Sequence, residues 1–316
     1  DVGFEDLLKL WPEATWFGDQ PNTHCNDMPM LAVSRACRKD GIKVVLTGEG
    51  SDELFGGYSW QEEVLQHWCR WRKHPFSKIN INNKWIRRFS SLTPNRFHMD
   101  QPDPQDPFLQ YLGHKDRAGG NRLLFPLDPE RQIRGAEFFN KLKGIGIDEE
   151  RAFLTRTLED MHGHLESLLK RNDRMGIAAS VETRTPFIEK RLIDIGMHSL
   201  FKVKFHEGQG KWIVKKVADD YLPKDIIYAK KVGFPVSFDY VKYALPLLND
   251  GFVPDIFKWS TKTTEQMAAY LKQDTTTMWF ILSIEIWARL YLNGESKEAI
   301  GDQLIHNYKI ENDRLN

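Results

Sequence analysis

The chain has 316 residues, 41% of them hydrophobic and 12% aromatic, which is enough to bury a substantial core in one large domain or two moderate ones. Its 44 basic and 44 acidic residues leave no net charge, which disfavours a dedicated nucleic-acid-binding protein because phosphate recognition normally shows a basic excess. The three cysteines have no paired spacing, so they provide neither a disulfide framework nor a four-ligand zinc site, and they favour a reducing cytoplasm.

The most apolar stretch in the late part of the sequence is Trp279 to Leu292. It is about 14 residues long and contains Glu285 and Arg289, whereas a membrane span needs roughly 20 apolar residues, so it predicts a buried helix. No secretory signal is recognisable, and the sequence opens at Asp1 inside a helix-like stretch, Phe4–Leu10. We therefore expect a cytoplasmic protein without a membrane segment, whose natural chain begins upstream.

The first part of the chain predicts helix, strand, glycine-rich loop and renewed helix in succession. Apolar residues in Met28–Arg38 are compatible with a helix, and Gly41 occupies the position at which helices commonly end. The β-branched run Ile42–Leu46 is typical of a short strand buried in a parallel sheet, and it leads directly into Gly48–Glu53. This order of elements is characteristic of α/β proteins.

The later part of the chain is predicted to be mainly helical. Apolar residues recur at spacings of three and four from Ala152 to Leu169, which predicts an amphipathic helix packed on the core. A polar turn is predicted at Lys170–Arg174, and a further amphipathic stretch covers Lys211–Tyr221. From about Thr263 onward the pattern is predominantly helical. We expect an α/β fold, a parallel nucleotide-binding sheet flanked by many helices.

Three carboxylates, Glu49, Asp52 and Glu53, occupy the loop that follows the predicted strand. Loops at the carboxyl ends of parallel strands bind ligands in α/β sheets, and glycines let backbone amides approach an anion closely. Because carboxylates would repel a bare phosphate, they indicate a divalent metal, an amine or a cationic group between the loop and its ligand. Equally, they are compatible with helix N-terminal acids that the macrodipole favours by about 0.3–1 kcal/mol each.

Four segments carry a resemblance to one family. Leu46–Tyr58 (LTGEGSDELFGGY) resembles the S-G-E-G-S-D-E-[LV]-F-G-G-Y signature of asparagine synthetases. Asp173–Phe187 resembles the family's D-R-x-S-M-A-x-S-x-E-x-R-x-P-F, with Gly176 where a serine is common. Tyr228–Pro235 resembles a later lysine-containing segment, and Asp19–Pro21 resembles the D-E-P turn upstream. The chain is therefore identified as a member of the glutamine-hydrolysing asparagine synthetase family, and residues 1–316 as its C-terminal synthetase domain.

The resemblance implies a sheet of the adenine nucleotide α-hydrolase type and a two-step reaction. The side-chain carboxylate of aspartate attacks the α-phosphorus of ATP and releases pyrophosphate, and ammonia then displaces AMP from the β-aspartyl adenylate to give asparagine. ATP and Mg²⁺ are the implied cofactors. The implied partners are small molecules and a glutaminase domain that releases ammonia from glutamine, and a homodimer is a further expectation.

Catalytic and nucleotide-binding roles fall on matched positions. Thr47 and Gly48 are expected to line the adenosine site through backbone contacts, and Asp52 to hold Mg²⁺ on the pyrophosphate oxygens. Glu49 is expected to face the acyl carbon, where a carboxylate positions ammonia or takes its proton. Lys231 is expected to neutralise charge that develops on the α-phosphoryl group during adenylation.

Other charged residues are candidates for ligand contacts. Lys211 follows a glycine-containing turn and is a candidate phosphate ligand, although a loop lysine is more often only exposed. Glu53 and Asp173 are expected to contact the amino-acid substrate. Glu182 and Arg184 either join that cluster or form a buried structural pair, and we favour the structural pair.

Two family features have no counterpart in the sequence: the S-G-G-x-D-S-[SC] pyrophosphate loop and the glutaminase domain. Both precede Asp1 in the family's order, so we expect an N-terminal part to supply them and residues 1–316 alone to be inactive. One alternative is a related amidotransferase or cyclase acting on another carboxylate, although Glu49 stands where β-lactam synthetases usually carry a tyrosine. The other is a catalytically silent scaffold subunit, against which the intact Glu49, Asp52 and Lys231 argue.

Overall fold

A computed structural model describes residues 2–22, 24–58, 60–62, 129–146, 148–230, 239–271 and 275–315. The described chain is mostly helical. The α-helices are α1 (Phe4–Gly18), α2 (Asp27–Lys39), α3 (Ser51–Phe55), α4 (Pro129–Lys141), α5 (Asp148–Glu159), α6 (Glu166–Ala178), α7 (Lys190–His198), α8 (Phe201–Lys204), α9 (Trp212–Ala218), α10 (Lys224–Ile227), α11 (Phe252–Ile256), α12 (Thr261–Leu271), α13 (Thr275–Tyr291) and α14 (Lys297–Leu315). Other helical turns are the 3₁₀ segments Leu142–Gly144, Pro186–Ile188 and Asp239–Leu248 and the π-helical turn Asp160–Leu165, and the strands are β1 (Val44–Leu46) and β2 (Glu182–Arg184).

The chain is organised in two compact units, each built from separate segments of the sequence. The first unit comprises Asp1–Thr47, Leu169–Arg184 and Lys231–Asn316. The second unit comprises Gly48–Leu168 and Thr185–Lys230. The glycine-rich motif at Gly48–Tyr58 therefore lies wholly in the second unit.

A small parallel sheet lies in the first unit. Strands β1 and β2 pair in parallel with Val44 opposite Glu182 and Leu46 opposite Arg184, which confirms the predicted strand and its parallel pairing. The prediction that this strand is buried is wrong for the described chain, because Val44 is 40% and Leu46 69% exposed. Within the described residues β1 pairs only with β2, whereas the strands of a buried parallel sheet are covered on both faces.

The turn between α2 and β1 confirms the predicted helix end. Gly41 has φ +80°, a left-handed conformation in which glycine carries no Cβ penalty. Its N–H donates to the Arg38 carbonyl at 3.0 Å, and the Ile42 N–H donates to the Cys37 carbonyl at 2.9 Å. These bonds close the last helical turn and direct the chain into β1.

The core of the first unit forms around two stacked indoles. Trp11 of α1 and Trp279 of α13 lie with ring centroids 4.4 Å apart, and the Trp279 Nε1 donates to the Asn22 carbonyl at 3.0 Å. Helix α13 is the buried helix predicted from the apolar stretch, and it carries a buried ion pair between Glu285 and Arg289 at 2.8 Å. No helix in the described part of the chain combines the length and apolar character needed to cross a membrane.

The helical run from α5 to α6 departs from the sequence prediction at two places. The predicted helix Ala152–Leu169 is present but widens into the π-helical turn Asp160–Leu165. The polar turn predicted at Lys170–Arg174 is wrong, because α6 continues through it. Charged residues do not by themselves end a helix, and Arg171 is neutralised by Asp27 at 2.7 Å in the first unit.

Aromatic side chains build the core of the second unit beside the glycine-rich motif. The Phe153 ring of α5 lies 5.1 Å from that of Phe201 and 6.0 Å from that of Phe205, in both cases edge to face. The Phe205 ring also fills the space that a Cβ on Gly56 would occupy. The motif is therefore seated directly on this aromatic cluster.

Candidate functional site

Glycines fix the conformation of the loop that carries the three carboxylates. Helix α3 is flanked by Gly50 at φ +89° and Gly56 at φ +76°, backbone conformations that residues other than glycine rarely adopt. A Cβ on Gly50 would lie 2.7 Å from the Ile188 Cγ2, and one on Gly56 would overlap the Phe205 ring. Both glycines are therefore required by backbone conformation and by close packing.

A second glycine-containing loop packs directly on the first. The Lys211 N–H donates to the Phe55 carbonyl at 3.1 Å, and a Cβ on Gly210 would overlap the Gly56 carbonyl oxygen. Lys211 itself has φ +56°, an uncommon backbone conformation for a lysine. A Cβ on Gly57 would overlap the Asp52 carboxylate and approach the Lys211 side chain. Side chains on Gly57 and Gly210 would therefore prevent the two loops from packing this closely.

Asp52 and Lys211 form an ion pair where these loops meet. The Lys211 Nζ lies 3.0 Å from the Asp52 Oδ2, and both side chains are partly buried. The residue expected to hold a metal and the residue expected to contact phosphate are thereby brought together from positions 159 residues apart. Salt screens the attraction between two charges less in a partly buried site than at the surface. A charged ligand that approached the pair would therefore interact strongly with both side chains.

Glu49 presents a buried carboxylate oxygen without a donor. Its Oε2 is inaccessible to solvent, and no group in the described part of the chain donates a hydrogen bond to it. A buried anionic oxygen without a partner is unfavourable, since its lost hydration is not replaced. The arrangement is suited to a cation or an N–H donor that arrives with a ligand.

Glu53 has a different environment from the other two carboxylates. It is 1% exposed, its Oε2 accepts from the Gly50 N–H at 3.1 Å and its Oε1 accepts from the Tyr58 hydroxyl at 2.8 Å. Burial raises the pKa of this carboxyl, an effect that the Tyr58 hydrogen bond opposes. Because both oxygens are engaged inside the motif, this geometry favours a loop-holding role over the substrate contact expected from the sequence.

The strand end is closed by backbone pairing. The Thr47 N–H donates to the Arg184 carbonyl at 2.8 Å and the Thr47 hydroxyl donates to the same oxygen at 3.5 Å, so the Thr47 carbonyl is the group left for a ligand. Gly48 is exposed with open space where a Cβ would lie, and its carbonyl accepts from the Ser51 N–H at 3.3 Å. The backbone at Gly48 can therefore be approached closely.

The second motif contributes exposed charges to the first unit. Asp173 is exposed on α6. Glu182 and Arg184 pair at 2.8 Å, but both are exposed, so the expectation of a buried pair is wrong in its burial. Arg184 lowers the pKa of Glu182 through this hydrogen bond. Next to Asp173, Arg174 pairs with Asp19 at 3.0 Å, which joins two of the four family-like segments.

The sequence reasoning missed a polar cluster beside the carboxylate loop. Asp160 is 1% exposed and its Oδ2 accepts from the Trp60 Nε1 at 3.2 Å and the Gln61 Nε2 at 3.1 Å. No local pattern identifies this contact, because the partners are about a hundred residues apart in the chain and the only sequence signal is a charged residue on the apolar face of a predicted helix.

A family model described as asparagine synthase matches residues 1–289. The chain belongs to the asparagine synthase family. Asparagine synthetase [glutamine-hydrolyzing] 3 from Bacillus subtilis is 26% identical over 236 residues, covering 74% of this chain and 33% of that protein. Asparagine synthetase [glutamine-hydrolyzing] 1 from the same organism is 24% identical over 331 aligned positions, covering 96% of this chain and 49% of that protein. The chain thus spans one third to one half of the length of these relatives.

A shorter match, with a higher identity over its few residues, involves a relative with another name. Amidase chry2 from Gibberella zeae is 46% identical over 54 residues, which is 17% of this chain and 8% of that protein. The family is ATP-dependent, and membership of it supports an ATP-dependent amide-forming role for this chain.

Two residues of the family-like segments, Lys231 and Gly176, need separate comment. Lys231, the expected adenylation lysine, lies outside the described residues. Gly176, where the family commonly has serine, packs against the start of β2: a Cβ there would lie 2.7 Å from the Val181 carbonyl oxygen and 3.1 Å from the Thr183 Cγ2. Gly176 is therefore matched to the local backbone of this chain.

Proposed function

We propose that the chain is the synthetase part of an enzyme that adenylates the side-chain carboxylate of aspartate with ATP and then converts the adenylate to asparagine with ammonia. The observation that carries this proposal is the loop geometry of the family signature: Glu49 holds a buried oxygen without a donor, three residues before the Asp52–Lys211 ion pair. One loop that carries both an acid without a hydrogen-bond donor and an acid paired with a base suits a reaction that handles a phosphate and an amine.

In the first step an oxygen of the aspartate side chain bonds to the α-phosphorus of ATP while the bond to pyrophosphate breaks. The exposed backbone at Gly48 and the carbonyl of Thr47 would line the adenosine site, since the Thr47 N–H is engaged in the sheet. Lys231 would neutralise charge on the α-phosphoryl group. Lys211 would contact the pyrophosphate from the loop that meets the signature.

The donor set also fits magnesium. Mg²⁺ in phosphate-handling sites is commonly bound by one or two carboxylates together with substrate phosphates, so a cage of protein ligands is not needed. Asp52 would hold the ion, with Lys211 at 3.0 Å limiting the excess negative charge before the nucleotide binds. When bound, Mg²⁺ neutralises charge on the leaving pyrophosphate.

In the second step the ammonia nitrogen bonds to the acyl carbon, the bond to the AMP oxygen breaks, and one proton leaves the nitrogen. Glu49 would take that proton or orient the attacking nitrogen, because its buried oxygen has no donor within the described chain. Asp173, exposed on α6, remains the proposed contact for the α-amino group of aspartate. Ammonia would come from a glutaminase domain, the activity that the names of two relatives ascribe to those proteins.

The test is pyrophosphate release by the full natural polypeptide with ATP, Mg²⁺ and aspartate, with and without ammonia. We expect aspartate-dependent release, and asparagine when ammonia is added. Asp52→Asn should lower the rates of pyrophosphate release and of asparagine formation by about a hundredfold. Glu49→Gln should retain pyrophosphate release and lose asparagine formation. Lys216→Ala, which removes an exposed lysine paired with Asp219 at 3.4 Å, is the control and should leave both unchanged.

The outcomes separate the alternatives. A folded, ATP-binding wild type without aspartate-dependent release would refute aspartate as the acceptor. Failure to bind ATP would favour a silent scaffold subunit. Equal loss of both activities in Glu49→Gln would refute its assignment to the second step.

A second candidate function is the same adenylation chemistry on another carboxylate. The observation that motivates it is that a relative not named as an asparagine synthetase, amidase chry2, is 46% identical over a segment of 54 residues. Pyrophosphate release measured across a panel of carboxylic acids would identify this case, because one member other than aspartate should then give the highest kcat/KM.

A further inference from the structure

A buried hydrogen-bond cluster connects the π-helical turn to the segment after the carboxylate loop. The Asp160 Oδ2 accepts from Trp60 and Gln61, and its Oδ1 is bonded by Arg156 one turn earlier. All of these residues lie in the second unit. The carboxylate of Asp160 is thus used entirely to hold other side chains.

The cluster continues through Gln61 into the loop itself. The Gln61 Nε2 also donates to the Glu53 carbonyl at 3.3 Å, and its Oε1 accepts from the Tyr58 N–H at 3.3 Å. The Tyr58 hydroxyl then bonds the Glu53 carboxylate, whose other oxygen accepts from the Gly50 N–H. An unbroken series of hydrogen bonds therefore runs from Asp160 to Gly50, the residue between Glu49 and helix α3.

Aromatic packing reinforces the same connection. The Tyr58 and Trp60 rings stack with centroids 3.9 Å apart, and the His164 imidazole lies edge-on to both, at 5.2 Å and 5.7 Å. Asp160 and His164 both come from the π-helical turn. Such turns are rare and occur frequently at functional sites, where they re-aim side chains from a helix.

The cluster buries more charge than packing stability requires. Glu159 pairs with Arg156 at 3.5 Å, so two buried carboxylates share one guanidinium, and the buried Glu53 lies in the same unit. Apolar side chains of similar volume are commonly at least as stabilising as buried ions. What buried, hydrogen-bonded ions add is a fixed geometry for the side chains that they join.

We propose that Asp160 is a positioning residue of the adenylation site: it fixes Trp60 and Gln61, and through them the loop that carries Glu49 and Asp52. The inference rests on the proposed function. Asp160 touches no reacting atom, so its removal should loosen the loop without removing any group that contacts the nucleotide. The signature of such a role is a loss of kcat with little change in the KM for ATP.

The test uses Asp160→Asn, Gln61→Leu and their double variant in the full natural polypeptide, with Glu159→Gln as the matched control. Glu159 is buried beside Asp160 and pairs with the same Arg156. We expect Asp160→Asn to lower kcat by about tenfold with the KM for ATP changed less than about twofold, since small displacements of reacting groups reduce rates strongly. The double variant should lose no more kcat than the more damaging of the two single variants, because both changes break the same series of hydrogen bonds.

Hydrogen–deuterium exchange supplies a readout that does not depend on turnover. Peptides covering residues 49–57 should exchange faster in Asp160→Asn and in Gln61→Leu than in the wild type and in Glu159→Gln. Unchanged exchange in this segment, or faster exchange with unchanged kcat, would overturn the proposal, and so would equal kcat losses in Asp160→Asn and Glu159→Gln. If Asp160→Asn does not fold, Gln61→Leu carries the same expectation.

Failure of the proposed function is recognised separately. A wild type that releases no pyrophosphate with aspartate refutes aspartate as the acceptor, and one that releases none with any acid of the carboxylate panel refutes adenylation and the role of Asp160 in it. The exchange measurement then still decides whether Asp160 holds the loop.

Discussion

Replacing the buried Lys204 with methionine should stabilise the second unit. Lys204 is 0% exposed, its Nζ has no hydrogen-bond acceptor within the described chain, and burial lowers its pKa from 10.5 to about 8 although Glu150 opposes this. At neutral pH this lowering of the pKa corresponds to a loss of about 3 kcal/mol from the free energy of unfolding of the wild type. The Nζ lies 4.9 Å over the Phe153 ring, and loss of this cation–π contact offsets about 1 kcal/mol. The net expected gain is about 2 kcal/mol.

The pH dependence of the effect tests the reasoning. Between the folded pKa of about 8 and the ordinary 10.5 the unfolded chain binds more protons than the folded one, so wild-type stability should rise with pH in this window. The advantage of Lys204→Met should therefore be full at pH 7 and shrink toward pH 10. Urea unfolding at pH 7 and pH 9.5 measures it, with Lys202→Met, an exposed lysine on the same short helix, as the control. A destabilised Lys204→Met, or a gain that does not depend on pH, would refute the argument.

Three further expectations concern the first unit. Gly176→Ser should destabilise the protein by about 1–3 kcal/mol in urea unfolding, because its Cβ would lie 2.7 Å from the Val181 carbonyl oxygen; no loss would show that the backbone adjusts freely. Glu285→Ala should lower stability by about 3 kcal/mol, since Arg289 and two backbone N–H groups lose their buried partner; a loss below about 1 kcal/mol would contradict this. Burial raises the pKa of Cys25 to about 11, so with the other two cysteines replaced by serine it should react with a disulfide reagent at pH 8 only on unfolding; rapid labelling of the folded protein would show that the thiol is accessible.

The local sequence predicted the elements that depend on local physics. The helix at Met28–Arg38, its end at Gly41 and the strand that follows are set by apolar spacing, by left-handed glycine geometry and by β-branched residues, and all three are present. The helix predicted from Trp279 onward is also present and buried. The turn predicted at Lys170–Arg174 was wrong, because charge composition does not reveal that a residue such as Arg171 finds a partner on another helix.

In the candidate site, too, the sequence predicted which residues are present and the folded structure decided their surroundings. The signature identified Glu49, Asp52 and Glu53 together, because a family motif preserves residue types at fixed spacing. It did not distinguish them, whereas the structure gives each a different environment: a buried oxygen without a donor, an ion pair with Lys211, and a carboxylate bonded on both oxygens. Burial and hydrogen-bond partners are properties of the folded surroundings.

The sequence by itself therefore determined the family, the secondary structure near the signature and the residue types available for chemistry. Tertiary structure alone decided that Asp52 meets Lys211, that Glu53 is closed off by Tyr58, and that Asp160 reaches the segment beside the loop. Each of these contacts, except the one between Glu53 and Tyr58, joins residues about a hundred or more positions apart. Such pairs form only when packing brings distant segments together, and no local pattern of residues encodes that approach.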